Sequence, residues 1–278
     1  MMKKLIYLAI TIMFVFVSQC VNAQKLDAPK FRIDMENSNQ NAIEFTLSRG
    51  EISIEGHNSN ELIIENTDYE APPERADGLQ PLTDKGTDNT GIGLSVQEQD
   101  GVLKIVETRN NDGEFILKVP NNIRLKIQKQ LWSGEITIRD HKGEIEVQTK
   151  FADISLRNIT GPVIVNSISG NVDAVFSNIS NATPSSVSVT HGYIDVTLPA
   201  DTQSNVYLSS THGEIYTDLD LQLKNKKEST KPSIGPQNIV GTLNGGGVNM
   251  TLRTISDDIY LRKNRLSNSR RFCLGVVH

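Results

Sequence analysis

Gly134-Glu-Ile-Thr-Ile, Gly143-Glu-Ile-Glu-Val, Ala152-Asp-Ile-Ser-Leu, Gly161-Pro-Val-Ile-Val and Gly170-Asn-Val-Asp-Ala follow one another at nine-residue intervals. A small residue opens each unit. Positions three and five are apolar: Ile136/Ile138, Ile145/Val147, Ile154/Leu156, Val163/Val165 and Val172/Ala174. Successive side chains of a strand point to opposite faces, so these residues line one face and their neighbours the other. β-Branched residues alternating with polar ones, punctuated by Gly, read as short strands joined by tight corners.

The same phrase recurs at longer spacing as Gly113-Glu-Phe-Ile-Leu, Gly192-Tyr-Ile-Asp-Val and Gly213-Glu-Ile-Tyr-Thr. Openings at 113, 134, 152, 170, 192 and 213 lie 21, 18, 18, 22 and 21 residues apart. This predicts successive coils of one parallel β-solenoid, each returning to the same corner, with the units at 143 and 161 on the opposite wall. Coils would stack about 4.8 Å apart. Each inward Ile, Val or Leu contributes roughly 1.5–3 kcal/mol on full burial. Gly at the corners supplies positive φ without steric cost, and Ala152 is the exception. An antiparallel β-sandwich is the alternative, but two-residue hairpin signals are scarce and a nine-residue period suits stacking better.

Outward from this core, Phe31-Arg-Ile-Asp-Met, Ala42-Ile-Glu-Phe-Thr-Leu and Gly50-Glu-Ile-Ser-Ile-Glu read as opening strands. An insertion near 66–91, with Pro72, Pro73 and Pro81, reads as a surface loop or flap. A second loop near 224–237 carries Lys224, Lys226, Lys227 and Lys231. Gly245-Gly246-Gly247-Val-Asn-Met-Thr-Leu resumes the pattern, and Ile259-Tyr260-Leu261 is the last strand. From Arg262 onward the chain is basic, and residues 264–278 are expected to be disordered or to cover an open end of the solenoid.

The chain opens Met1-Met2-Lys3-Lys4 and continues with an apolar run from Leu5 to Val17. A short cationic start and about a dozen apolar residues make a secretory signal peptide, too short to span a bilayer comfortably. Val21-Asn22-Ala23 places tolerated side chains where a signal peptidase reads, so residues 1–23 are expected to be removed. The rival is a lipid anchor on Cys20, whose preceding Gln19 is bulky for that role. Residues 24–263 then form a single domain with no further membrane span. After cleavage Cys273 is the only cysteine, which leaves no internal disulfide. A net charge of -5 and a pI near 5.6 argue against nucleic acid. Aromatic residues are 5% of the chain, too few to suggest a large sugar cleft.

The candidate constellations each have a plainer reading. Glu135, Glu144 and Asp153 hold position two of consecutive units, which would form a Ca²⁺-binding ladder on one shared wall. The coil assignment puts Glu144 on the opposite wall, and a solvated outer face is the simpler expectation. Thr190-His191-Gly192 and Thr211-His212-Gly213 place two imidazoles one coil apart, yet two ligands do not make a structural zinc site. Trp132, the sole tryptophan, could stack on a sugar but more commonly packs against a neighbouring coil. The lysines of 224–231 could touch anionic glycans or a membrane surface, with a solvated loop as the default. No G-x-S-x-G or H-E-x-x-H motif occurs. No catalytic, cofactor-binding or metal-ligating residue is therefore assigned.

The repeated phrase, the segment Ala71-Pro72-Pro73-Glu74-Arg75-Ala76-Asp77-Gly78-Leu79-Gln80-Pro81-Leu82, the phrase Asp88-Asn89-Thr90-Gly91-Ile92-Gly93-Leu94 and the Gly245–Asn249 stretch resemble a secreted bacterial family labelled "putative adhesin", of unknown function. The resemblance spans roughly residues 30–263. It implies a right-handed β-helix-like fold, export and no established enzyme activity. It carries no functional residues. The sequence thus predicts an all-β solenoid that serves as a non-enzymatic envelope or surface protein binding a glycan, matrix or envelope protein. A carbohydrate-active enzyme on a β-helix and a purely structural envelope protein are the alternatives.

Overall fold

Alternating apolar side chains set the whole architecture. The computed structural model describes residues 29–35, 41–79, 84–109, 113–131, 134–179, 183–224 and 236–264. The N-terminal strands are β1 (Lys30–Asp34), β2 (Ala42–Leu47), β3 (Glu51–His57), β4 (Glu61–Asn66), β5 (Leu94–Gln99), β6 (Val102–Glu107) and β7 (Glu114–Pro120). The central ones are β8 (Arg124–Lys129), β9 (Ile136–Arg139), β10 (Ile145–Phe151), β11 (Ile154–Ile159), β12 (Val163–Ser169), β13 (Val172–Phe176), β14 (Ser185–His191) and β15 (Ile194–Leu198). The chain finishes with β16 (Ser204–Ser210), β17 (Ile215–Thr217), β18 (Gln222–Leu223), β19 (Gln237–Leu243), β20 (Val248–Thr254) and β21 (Ile259–Lys263). One short 3-10 turn, Glu74–Ala76, lies between β4 and β5.

The strands form two large sheets. Sheet I runs β1-β4-β7-β3-β9-β11-β13-β15-β21-β17, and sheet II runs β18-β19-β16-β20-β14-β12-β10-β8-β2-β6-β5. From β8 to β17 the chain alternates between the sheets at every step. The central ladders are parallel, with Ile136, Ile154, Val172 and Ile194 in one register. Leu125, Ile145 and Val163 match them across sheet II. All seven are at most 1% exposed, so the apolar positions read from the repeat are the core. The units at 143 and 161 enter sheet II, and those at 134, 152 and 170 enter sheet I. The antiparallel alternative fails here, because among the described strands antiparallel pairs occur only toward the ends: β1/β4, β4/β7, β5/β6, β16/β19 and β18/β19.

Two sequence expectations need correction. Neighbours in the 113–213 series are not all neighbours in space. Strand β3 lies between β7 and β9, and β21 lies between β15 and β17. The first strand pair, β2 and β3, and the last, β20 and β21, are each inserted between strands that the series would place side by side. The repeat fixes strand length and facing but not order, since any strand with the right apolar rows fits any gap. The connection from Asn244 to Gly247 shows how the last pair gets there. Strands β19 and β20 flank β16 on opposite sides, so residues 244–247 must cross its start. A Cβ at Gly247 would lie 2.5 Å from the Gln203 carbonyl oxygen.

The second correction concerns the corner glycines. Positive φ explains Gly134, at 72°, but Gly143 and Gly161 are not in that region. There the cause is close stacking. A Cβ at Gly161 would lie 2.0 Å from the Gly143 carbonyl oxygen, and one at Gly143 2.1 Å from that of Ile123. No side chain fits between backbones that close.

Candidate binding surfaces

Parallel strands in register place equivalent side chains in straight rows, and the outward rows are what a partner meets. On sheet II one row reads Thr46, Gln128, Gln148, Asn166, Ser188 and Arg253 across β2, β8, β10, β12, β14 and β20. Two amides of this row are anchored from beside it: Gln128 Nε2 donates to Glu44 at 3.0 Å and Gln148 Nε2 to Glu146 at 2.7 Å. The Asn166 amide finds no partner among the described residues. The next row outward carries Lys150 and Ile168, the latter 47% exposed. With Gln128, Gln148, Asn166 and Ser188 of the first row they line an open groove of about 770 Å³. Its walls offer amide and hydroxyl donors and acceptors, a lysine and one apolar side chain. This is a surface for hydrogen bonding to a polar ligand.

A parallel row on the same face alternates in charge: Lys104, Glu44, Lys126, Glu146. Lys126 Nζ stands 3.6 Å from the Glu44 carboxylate. These pairs are exposed enough to contribute little to stability. They keep the face solvated and hold the amides in place.

The acidic series separates as the alternation between sheets requires. Glu135 and Asp153 open adjacent strands of sheet I and, with Glu51, line a recess of about 450 Å³. Glu144 lies at sheet II, where Arg124 donates to it at 3.0 Å. Asp153 accepts from the Asn171 backbone N–H at 2.7 Å. Among the described residues no group of three or more His, Cys, Asp or Glu side chains is arranged to hold a metal ion.

The two histidines are not on adjacent strands, as their spacing suggested. The turn between β20 and β21 comes between them: His191 Nδ1 contacts Ser256 Oγ at 2.9 Å, and the His212 N–H donates to the Ile255 carbonyl at 2.9 Å. Trp132, Lys226, Lys227, Lys231, Cys20 and Cys273 lie outside the described residues.

Sequence reasoning missed a cluster on sheet I. Asp173, Asp195, Tyr260 and Tyr216 stand in one outward row across β13, β15, β21 and β17. Tyr216 stacks on Tyr260 with ring centroids 5.3 Å apart, and Tyr193 meets Tyr260 edge-on at 6.3 Å. The Arg262 guanidinium lies 5.0 Å over Tyr260 while its Nε donates to Asp195 at 2.8 Å. Tyr193 donates to Asp173 at 3.1 Å and Tyr260 to Asp258 at 2.9 Å. Burial and the adjacent Asp173 carboxylate push the Tyr193 phenol up, and the Asp258 hydrogen bond does the same for Tyr260. Outward alternation was readable for Tyr216 and Tyr260. Their adjacency was not, because it depends on β21 lying beside β17.

Two buried groups complete the electrostatics. Lys129 points inward and donates from Nζ to the Gly134 carbonyl at 3.0 Å. Burial pushes its pKa down to about 8 against the opposing pull of Glu51 and Glu107. His141 is fully buried, with Nε2 2.8 Å from the Ile123 carbonyl and Nδ1 without a partner among the described residues. Burial holds it down to about 4.

Two mainly parallel sheets with rows of polar side chains outside define a class of all-β proteins. Residues 125–262, from β8 into β21, match the family described as Toastrack DUF4097, and the chain carries a domain of that family. The match contains the Gly245–Asn249 stretch but begins after the 71–82 and 88–94 segments. Among solved structures the chain is similar to a "putative cell adhesion protein" from Clostridium sporogenes, at 12% identity and TM-score 0.44, over 85% of this chain and 100% of that one. It is also similar to a "putative adhesin" from Bacteroides fragilis, at 12% identity and TM-score 0.32, over 84% and 96%. A "putative lipid binding protein" from Parabacteroides distasonis follows at 10% identity and TM-score 0.21, over 86% and 98%. None of these names carries an enzyme activity. No curated protein matches the chain. No helix among the described residues is long and apolar enough to cross a membrane.

Proposed function

We propose that this is an exported, non-enzymatic cell-envelope or surface protein whose two sheets are the walls of a right-handed β-solenoid, and that the groove on sheet II binds a glycan. Residues 1–23 direct export, and 24–263 act as one unit. The observation that carries the reading is the in-register row Gln128, Gln148, Asn166 and Ser188. Amides and hydroxyls repeated at the strand spacing, about 4.8 Å, suit a polymer of hydroxyl-rich units better than a single small molecule. The protein needs no chemistry of its own for this. It needs a stiff surface, and stacked strands with a dry core supply one.

The test is a glycan-array screen of the full chain at physiological salt beside the double variant Gln148→Ala, Asn166→Ala. Selective, saturable binding that falls about tenfold in the variant is the expected outcome, the scale of one or two lost hydrogen bonds. A blank array from folded protein, or binding indifferent to the substitutions, refutes the assignment of the groove and favours a structural envelope role.

A further inference from the structure

Sheet edges attract other strands unless they are blocked, and this protein finishes its edges unequally. At one end of sheet II the outer strand β5 is blocked by a side chain. Asn89 donates from Nδ2 to the Val96 carbonyl and accepts from the Val96 N–H, both at 2.8 Å. The other end of sheet II is the two-residue strand β18, which pairs with β19, and one end of sheet I is β1, which pairs with β4. Sheet I ends at β17, which pairs only with β21, and no other described strand lies against its far side.

The pairing fixes which groups β17 leaves open. Ile215 sits opposite Ile259, and the Ile259 N–H donates to the Glu214 carbonyl at 2.9 Å. In a parallel ladder, Ile215 and Thr217 then turn their N–H and C=O groups away from β21. Alternation sends Ile215 inward and leaves Glu214 and Tyr216 exposed, followed by exposed Asp218 and Asp220. Tyr216 is 51% exposed, and its hydroxyl has no partner among the described residues. Glu214 and Asp218 thus flank the Tyr216 ring; Glu214 accepts from Gln237 Nε2 and Asp218 from the Lys263 N–H, both at 2.6 Å. The neighbouring strand shows what such a surface accepts, with the Arg262 guanidinium lying on Tyr260 beside Asp195.

We propose that the β17 edge docks a basic, extended peptide segment of another protein, which adds to sheet I as a further strand. Main-chain hydrogen bonds to Ile215 and Thr217 supply affinity, and alternate side chains supply selectivity. Basic residues facing outward on the added strand fall beside Glu214 and Asp218, the favourable cross-strand pairing. One of them covers Tyr216 as Arg262 covers Tyr260. An acidic strand would meet like charges along the same row. This surface is on the opposite sheet from the glycan groove, so either assignment can fail without the other.

The experiment uses the full chain and a fluorescent heptapeptide of alternating arginine and valine, followed by anisotropy. Saturable binding is expected, weakening as salt rises. Tyr216→Ala should weaken it about five- to tenfold, the scale of a cation–π contact. The same peptide N-methylated along either edge should lose binding on the edge that pairs, and a glutamate-for-arginine peptide should not bind. Equal binding of both N-methylated peptides and the parent would reduce the effect to charge adsorption and overturn strand addition. Self-association of the protein that Tyr216→Ala abolishes would overturn it in favour of a second copy at this edge.

Discussion

His141 shows how a single residue ties the corner to pH. The ring is fully buried and donates to the Ile123 carbonyl, which requires the proton on Nε2 and leaves Nδ1 bare. A second proton would have to enter a site with no acceptor for it. Burial accordingly holds the pKa down to about 4, against an ordinary value of 6.5. Above pH 6.5 the ring is neutral whether folded or unfolded, and the stability it permits is fully present. As pH falls from 6.5 toward 4 only the unfolded chain takes up the proton, so stability declines. Between pH 7 and pH 5 the loss from this residue is about 2 kcal/mol. Urea unfolding at both pH values should show His141→Gln, which keeps a donor for Ile123, losing about 2 kcal/mol less than the parent across that interval. Equal losses would mean the buried ring is not what titrates. Nothing in the sequence marked His141, because the repeat shows that residue 141 sits at a corner but not that the corner is sealed.

Elements differ in how they end, and the phrase Asp88-Asn89-Thr90-Gly91-Ile92-Gly93-Leu94 is an ending. The Asp88 carboxylate accepts from the N–H groups of Thr90, Gly91 and Gly93 at 3.0, 2.9 and 2.9 Å. Burial alone would raise its pKa, but these bonds outweigh it and the carboxyl stays below its ordinary value. The loop so held carries Asn89 against the outer edge of β5. An amide side chain there occupies one N–H and one C=O that would otherwise template another strand. Asn89→Ala should therefore produce concentration-dependent association in sedimentation velocity, with about 1–2 kcal/mol lost from the monomer. A variant that stays monomeric at high concentration would show that β5 is protected by something else. The sequence made this phrase conspicuous without giving its use. Edge protection depends on which strand is outermost, a property of the assembled sheet.

At the scale of the whole molecule, the core was legible and the order was not. The apolar positions of the nine-residue units, such as Ile136, Ile145 and Val163, are buried as read, and units 134 and 143 enter different sheets as read. Alternation and spacing carry that information locally. The placement of β2 with β3, and of β20 with β21, is set by long-range fit between equivalent strands, which leaves no local mark. Both outward surfaces inherit this dependence. The sheet II row gains Thr46 because β2 lies beside β8, and the tyrosine stack exists because β21 lies beside β17. The strand order is thus the central structural claim, and disulfide trapping tests it most directly. In the full chain with Cys20 and Cys273 replaced by serine, Ser53→Cys with Thr137→Cys joins direct neighbours in register on β3 and β9. The pair Ile116→Cys with Thr137→Cys would join β7 to β9, strands separated by β3. Neighbouring Cα atoms about 4.8 Å apart can be bridged, whereas two strand spacings exceed the reach of a disulfide. Rapid oxidation of the Ser53/Thr137 pair with none in the Ile116/Thr137 pair is the expected result, and the reverse would contradict the insertion of β3 between β7 and β9.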